Sequence, residues 1–423
     1  MKKRIIVRGP ALSRSGYGEQ CRFALRSLRA HEDRFDIFLE NTNWGRTNCM
    51  TERTEEPQWI EMLIQKTQLY VAHHGPNEFD ISLQVTIPNE WTKKAPINIG
   101  YTAGIETTKI SPQWVEKSEI MDKIIVVSSF AKEAFANTVY HAEDTETGEV
   151  FPEFKVRTPI IPVNYCCKAF KTHDLGINLE SDFNFLTVAQ WGPRKNLDKT
   201  VKWFVEEFHQ NEDVGLIIKS NKANNSTMDK TATEHKLRSV LHTLDNKDYK
   251  CKIYLMHGSM TDEEMTSLYT HPKVKAYLTL AHGEGFGLPL FEAAQQGLPI
   301  LAPDWSGHMD FLCMPAQDKK GKTKIKPMFA KVDYTLQNVQ REAVWDGVVQ
   351  ADSKWAYADK FSYKKRLMEV YKDLGRFESQ AKKLQSWILE NFKSDDKYKE
   401  FVEAILGEEE MQIEPQADQV VVL

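Results

Sequence analysis

The chain has 423 residues, 41% of them hydrophobic and 27% charged, with a formal net charge of -5. That length allows two or three soluble domains with full cores, and the mixed, mildly acidic charge gives no global attraction to nucleic acid. No stretch approaches the ~20 apolar residues of a membrane span, which leaves peripheral membrane contact open. The cysteines (Cys21, Cys49, Cys166, Cys167, Cys251 and Cys313) show no Cys-x-x-Cys pair and no histidine at finger spacing. They read as reduced thiols of a cytosolic, cytoplasmic protein.

The start, "MKKRIIVRGPALSRS", has only a three-residue apolar run, so it reads as a first strand and not as a signal peptide. "RSGYGEQCRFALRSL" follows, placing Gly16, Tyr17 and Gly18 at a turn before an amphipathic helix. Taken alone, a glycine loop is a plain strand–helix connection. Further strands are expected at "FDIFLE", "LYVAHH", "LQVTIP", "INIGYT" and "KIIVVSS". On this reading His73 and His74 sit at a strand end, one packed and one on the surface, or as hydroxyl-binding or proton-relay groups. Glu106 lies in the small-residue loop after "INIGYT", and Ser128 and Ser129 at the turn before "FAKEAFANTVY".

Polar, turn-rich stretches around 170 to 182 mark the domain boundary. The expected units are 1–175, 176–385, helices over 386–406 that cross back to the first unit, and an acidic, disordered tail at 407–423. In the second unit "FLTVAQW", "GLIIKS", "KIYLMHG", "KAYLTLA" and "LPILAP" read as strands, several apolar throughout as suits burial on both faces. The alternation predicts an α/β fold of two doubly wound, Rossmann-like domains facing a cleft at the carboxyl ends of their strands. "DKKGKTKIK", with Lys319, Lys320, Lys322, Lys324 and Lys326, reads as a solvated loop or as a contact for a nucleic acid backbone.

"HGEGFGLPLFEAAQQGLPIL" carries the most chemistry. It reads as a glycine loop between a strand and a short helix, with Pro289 in the first turn and Gly297 as the stop. Glycines let the backbone approach a ligand, and the helix start favours phosphate. Glu284 and Glu292 bracket the loop and would grip the two ends of a long, hydroxyl-rich ligand. The plain alternative is a capping acid and a surface acid around a packing glycine.

The ordered stretch resembles the E-(seven residues)-E signature of retaining glycosyltransferases of family 4, which have the GT-B fold. The resemblance implies that Glu284 holds the donor sugar. Phe286, Gly287 and Leu288 would offer loop amides to sugar and diphosphate, and Glu292 would hold the ribose. "FLTVAQWGPRKNLDKTVKWF" resembles the family's next donor segment, in which an arginine and a lysine neutralise the diphosphate. Lys195 matches the lysine, Gln190 stands where the arginine is usual, and Arg194 is the candidate replacement. "KIYLMHGSM" resembles the strand and turn that read the base, which puts Gly258, Ser259 and Met260 there. The first glycine loop (Gly16, Tyr17, Gly18), His73, His74 and Glu106 would face acceptor and cleft, Glu106 in the loop where many members carry a histidine. The implied reaction is transfer from a nucleotide-diphosphate sugar to a hydroxyl acceptor (glycan, lipid-linked, small molecule or modified nucleic acid) by front-face attack. Lys195, Arg194 and Glu284 would be the catalytic groups, with no cofactor and no metal required. The rivals are a GT-B epimerase or hydrolase, a sugar-nucleotide-binding protein that has lost catalysis, and a transferase acting on a modified nucleic-acid base.

Overall fold

The computed structural model describes residues 2–76, 78–143, 148, 150–317, 321–407 and 411. The expected tail beyond Gly407 therefore lies, Met411 apart, outside the described residues, as do Lys319 and Lys320.

The first half runs β1 (Lys3–Gly9), α1 (Gly16–Arg29), β2 (Phe35–Asn41), α2 (Glu55–His74), β3 (Ile81–Gln84), β4 (Ile97–Thr102), α3 (Pro112–Ser118), β5 (Lys123–Val126) and α4 (Ser129–Asn137). A small antiparallel pair, β6 (Tyr140–Glu143) and β7 (Val150–Phe154), precedes β8 (Ile160–Pro162). The sheet order is β2-β1-β3-β4-β5-β8, every pairing parallel. The second half runs β9 (Phe183–Gln190), α5 (Leu197–Phe208), β10 (Val214–Asn221), α6 (Thr227–His242), β11 (Lys252–Met256), α7 (Asp262–Tyr269), β12 (Val274–Leu278), α8 (Leu288–Gln295), β13 (Ile300–Pro303) and α9 (Met309–Leu312). Then come an antiparallel pair, β14 (Cys313–Gln317) and β15 (Thr323–Pro327), β16 (Ala330–Val332), and a second pair, β17 (Tyr334–Asn338) and β18 (Lys354–Ala358). Helices α10 (Lys360–Lys372), α11 (Leu374–Asn391) and α12 (Ser394–Leu406) close the chain. The second sheet is ordered β11-β10-β9-β12-β13-β16 and is again all parallel.

Parallel strands flanked by helices are buried on both faces, which is why Leu216, Ile217 and Ile218 of β10 are fully enclosed despite being consecutive. In each sheet the strand order reverses direction once, between β1 and β3 and between β9 and β12. Loops at the carboxyl side of such a reversal part and leave a crevice. The loops after β1, β9 and β12 carry Gly16, Lys195 and Glu284.

Two expectations are corrected. "LYVAHH" is not a strand but the last turns of the 20-residue α2. Its apolar run belongs to a helical period: Ile60, Leu63 and Thr67 face inward, while Leu69 is 64% exposed. His73 and His74 therefore cap a helix that runs back along β2. The Tyr70 hydroxyl, one turn earlier, accepts from Arg4 at the start of β1 (2.8 Å), and His74 packs on Tyr70. Both histidines lie at the amino end of the first sheet, away from the cleft. The second correction concerns "DKKGKTKIK": its residues from Thr323 onward are strand β15, not loop.

The closing helices tie the halves together. α11 passes unbroken through residues 385 and 386, and its Gln385 donates to the Gln295 carbonyl of α8 (2.9 Å). α12 then packs on α1, with Phe401 against Phe23 (5.5 Å) and Tyr101 (4.9 Å), and the Ile405 carbonyl accepts from Lys123 (2.9 Å). Buried aromatic side chains contribute ~1.5–3 kcal/mol each, so this return is a firm attachment of the last helix to the first half.

Candidate functional site

The site forms where the loops after β9 and β12 meet. Pro193, Arg194 and Lys195 make one 3-10 turn, and Asn196 behind them adopts a left-handed φ of 52°. Asparagine tolerates that region better than most residues. Its amide donates to the Leu280 carbonyl (3.2 Å), and His282 N–H donates to the Arg194 carbonyl (2.8 Å). These bonds stitch the two loops and aim two cations at one acid. Lys195 Nζ donates to Glu284 Oε1 at 2.5 Å, and Arg194 Nη1 to Glu284 Oε2 at 3.1 Å. Arg194 reaches further, with Nη2 lying 3.2 Å from Glu106 Oε1 in the opposite half. Glu284, only 8% exposed at its side chain, would be raised in pKa by burial alone, but Lys195 and Arg194 outweigh that and hold it at about 2.

A support below this triad was not legible beforehand. Glu284 N–H donates to Ser306 Oγ (3.0 Å), and the Glu284 carbonyl accepts from Gly307 N–H (2.9 Å). Ser306 holds a φ of 90°, a strained value for a residue with a side chain. Behind it His308 is buried, its ring 2.8 Å from the Pro303 carbonyl, and burial pushes its pKa down. Its sequence sign is "DWSGH" directly after β13.

The first half presses on the same loop. Ser128 Oγ donates to the Gly285 carbonyl (2.6 Å), and Ser129 N–H donates to Asp310 Oδ2 (2.8 Å). A side chain at Gly283 would meet the Glu106 carbonyl at 2.5 Å, so glycine is what lets the halves touch there. Tyr17 stands over the same edge: its hydroxyl shares a hydrogen with Thr102 Oγ1 (2.8 Å), and its ring stacks on Trp44 (4.1 Å). Gly16 is exposed at the start of α1. Gly18 packs against the Ser13 carbonyl, and its N–H is capped by Ser15 Oγ (3.0 Å).

Glu292 lies in α8, the helix that directly follows this loop. The Tyr269 hydroxyl donates to its Oε2 (2.9 Å), and burial pushes its pKa up to about 7. It opens on a cavity of about 70 Å³ that Glu19, Arg26, Lys168 and Asp262 also line. Phe286 turns its ring into the core against Phe291, Phe311 and Tyr165, leaving its backbone to the loop, while Gly287 turns the chain at a φ of 96° and Leu288 starts α8. Gly258, Ser259 and Met260 follow β11. Arg14 donates to the Met260 carbonyl (3.2 Å) and Asn48 to Ser259 Oγ (3.4 Å) from across the cleft, and these residues border a cavity of about 430 Å³. Lys219, also missed, donates to the Gly258 carbonyl, and burial lowers its pKa to about 8. Gln190 stands apart from the triad: it is exposed, and its amide donates to the Lys222 carbonyl (2.9 Å).

The structure thus brings Arg194, Lys195, Glu284 and Glu106 into one cluster, with Tyr17 at its rim. Glu292 and the turn residues Ser259 and Met260 border separate cavities lined from both halves, and His73 and His74 lie elsewhere. Among the described residues no group of three or more His, Cys, Asp or Glu side chains is placed to hold a metal ion, and no helix is long and apolar enough to cross a membrane.

Residues 173–317 match the family described as glycosyl transferases group 1. Over 123 residues the chain is 31% identical to the serotype-specific mannosyltransferase WbdA of Escherichia coli. That match takes in 29% of this chain and 13% of the length of that relative. Over nearly its whole length the chain is similar in fold to solved structures. They include sucrose-phosphate synthase of Thermosynechococcus elongatus (TM-score 0.61, 11% identity, 96% of this chain and 98% of that one). Anabaena HepE in complex with UDP and glucose is another (TM-score 0.54, 11% identity, 95% and 99%). A third is the lipopolysaccharide outer core galactosyltransferase WaaB (TM-score 0.51, 12% identity, 96% and 99%). The chain has the GT-B fold, two parallel-sheet, Rossmann-like domains.

Proposed function

We propose that the protein is a retaining glycosyltransferase that moves a sugar from a nucleotide-diphosphate sugar to a hydroxyl acceptor. The observation that carries this is the convergence of Lys195 and Arg194 on Glu284 at the strand-order reversal of the second sheet, facing Glu106 of the first. Two cations fixed beside an ionised acid suit a ligand that is a diphosphate at one point and a polyol next to it. The matched family over 173–317 and the UDP held by HepE support the same donor class.

The donor diphosphate would draw Lys195 and Arg194 away from Glu284, whose freed oxygens would then accept hydroxyls of the transferred sugar. Amides of the Gly287–Leu288 turn would face the diphosphate, Glu292 the ribose, and the Gly258–Met260 turn the base. In the reaction the bond from the anomeric carbon to the leaving phosphate oxygen breaks. The acceptor oxygen attaches on the same face, and its proton passes to that phosphate oxygen. Negative charge grows on the diphosphate, where the two cations already stand; such preorganisation is worth ~10²–10³ in rate for one donor group. The reading needs no metal ion, since protein cations meet the charge. Gln190 in place of the usual arginine favours a protein that only binds sugar nucleotides, but Arg194, which shares Glu284 with Lys195, supports the reading that it supplies the missing charge.

Thermal stability and turnover against UDP-, GDP-, ADP- and TDP-sugars test this. One donor should raise the melting temperature, release its nucleoside diphosphate, and do both less well with Glu292→Ala. No stabilisation of folded protein by any donor would sink the reading.

A further inference from the structure

A third cavity, of about 370 Å³, lies between the start of α4 and the loop after β13, beside the point where Glu106 meets Gly283. Its volume is at the small end of the ~300–1,000 Å³ usual for small-molecule sites. Two of its lining residues adjoin the charged cluster: Ser306, which accepts from Glu284 N–H, and Trp305. A side chain at Gly283, next to Glu284, would meet the Trp305 ring at 2.9 Å and the Glu106 carbonyl at 2.5 Å. Trp305 is therefore at once a wall of this cavity and a neighbour of the triad.

The lining pairs an aromatic corner with acidic and neutral polar groups. Phe130 and Trp305 form an edge-to-face corner, centroids 4.9 Å apart at 77°. Around it stand carboxylates and hydroxyl or amide groups, among them Glu133, Asp304, Asp310 and Thr107, and no lysine or arginine lines the cavity among the described residues. Asp310 keeps Oδ2 for Ser129 N–H and the Asn164 amide, and Asp304 pairs with Lys331 outside the cavity. Glu133 is exposed. Aromatic faces take the C–H side of a pyranose, and carboxylates accept its hydroxyls. A phosphate would meet acids there without the cation that phosphate sites supply.

We propose that this cavity is the acceptor subsite and that the portion of acceptor it takes is a neutral saccharide. The proposal rests on the transferase reading for its position next to the reacting centre. It selects a sugar end over a lipid phosphate or a nucleic acid backbone as the bound group.

The test is saturation-transfer NMR on the full chain with methyl α-glycosides of glucose, galactose, mannose and N-acetylglucosamine, alone and with UDP or GDP present. Glucose 6-phosphate serves as the charged competitor. At least one glycoside should give a signal at millimolar concentration. Phe130→Ala and Glu133→Gln should each weaken it about fivefold or more, read as a change in Kd, and glucose 6-phosphate should compete poorly. Both positions are at least partly exposed, so the variants fold, which the melting temperature verifies. No signal from any glycoside, equal signals in wild type and both variants, or tighter binding of glucose 6-phosphate would each overturn the site. The donor titration separates the two readings. Donor stabilisation without glycoside binding overturns the acceptor site alone. Glycoside binding lost in the variants, without donor stabilisation, supports the saccharide site and sinks the transferase.

Discussion

Glu284 and Glu292 sit eight positions apart on one loop and helix, yet their surroundings make them different acids. Glu284 has two cations in contact and stays ionised, near 2. Glu292 is held by a tyrosine hydroxyl in a small cavity and is raised to about 7. Burial acts upward on both; the contacts of Lys195 and Arg194 reverse its effect at Glu284 only. One acid is thus fixed as an anion whose cations a diphosphate would have to take over, and the other sits near its midpoint at neutral pH. The first organises charge, and the second offers an acceptor for hydroxyls whose strength depends on pH.

The largest break in this contrast should come from Lys195→Met. It removes the shorter of the two contacts to Glu284 and leaves a buried carboxylate half compensated. Losing one partner of such a pair costs ~3–5 kcal/mol, so the melting temperature should fall. Transfer should drop by ~10²–10³. Tyr269→Phe, the matching change at Glu292, should lower donor affinity by only about fivefold, the ~1 kcal/mol scale of one hydrogen bond. Equal losses in the two variants, by donor titration and turnover, would erase the distinction.

Glu106→Gln sharpens the contrast from the other half. Arg194 joins Glu106 to Glu284, so the ion pair is also a clasp between the halves. Partly exposed pairs contribute ~0.2–1 kcal/mol. The variant should shift the protein modestly toward open forms, seen as a larger radius in small-angle X-ray scattering, with the melting temperature little changed. An unchanged radius would mean that Ser128, Ser129 and α12 hold the halves without the clasp.

The second half was the more legible of the two. Its strands are long apolar runs, and its loop carries Glu284, Gly287 and Glu292 in one continuous stretch. Lys195 and Arg194 lie 89 and 90 positions from Glu284, yet the order of strands places them beside it. The first half misled at "LYVAHH" because a short apolar run does not state its period. Only Ile60, Leu63 and Thr67, further back, reveal a helix. Ser306 escaped because its role is a backbone conformation and one accepted hydrogen bond, neither visible in residue type. The corner of Phe130 and Trp305 joins residues 175 positions apart and needs both halves in place.

Ser306 separates support from chemistry on a smaller scale. Ser306→Gly relieves the strain of a φ of 90° but removes the oxygen that accepts from Glu284 N–H. Ser306→Ala removes the oxygen and keeps the strain. Strain of this kind costs ~1–3 kcal/mol, so the glycine variant should melt above the alanine variant. Both should lose some turnover, since each loosens the Glu284 backbone. Alanine melting at or above glycine would show that the conformation is not strained in solution.

A last contrast is the pH dependence that Glu292 contributes. Its folded pKa, about 7, is above the ordinary glutamate value, so the folded protein holds a proton there that the unfolded chain releases. The folded state binds more protons in that window, and stability must fall as pH rises from the ordinary value toward 7, then level off. Glu284, depressed to about 2, works the other way: its contribution is complete above the ordinary range and is lost only in strong acid. Between pH 5 and 8, therefore, the melting temperature of the wild type should decline relative to Glu292→Gln, which has no proton to lose, while the Glu284 contribution stays flat. Donor binding should strengthen over the same window, because the carboxylate accepts ribose hydroxyls better than the acid does. Parallel melting curves for wild type and Glu292→Gln would mean that the cavity around Glu292 admits enough water to restore an ordinary carboxylate. The two glutamates would then differ only in their partners and not in their charge.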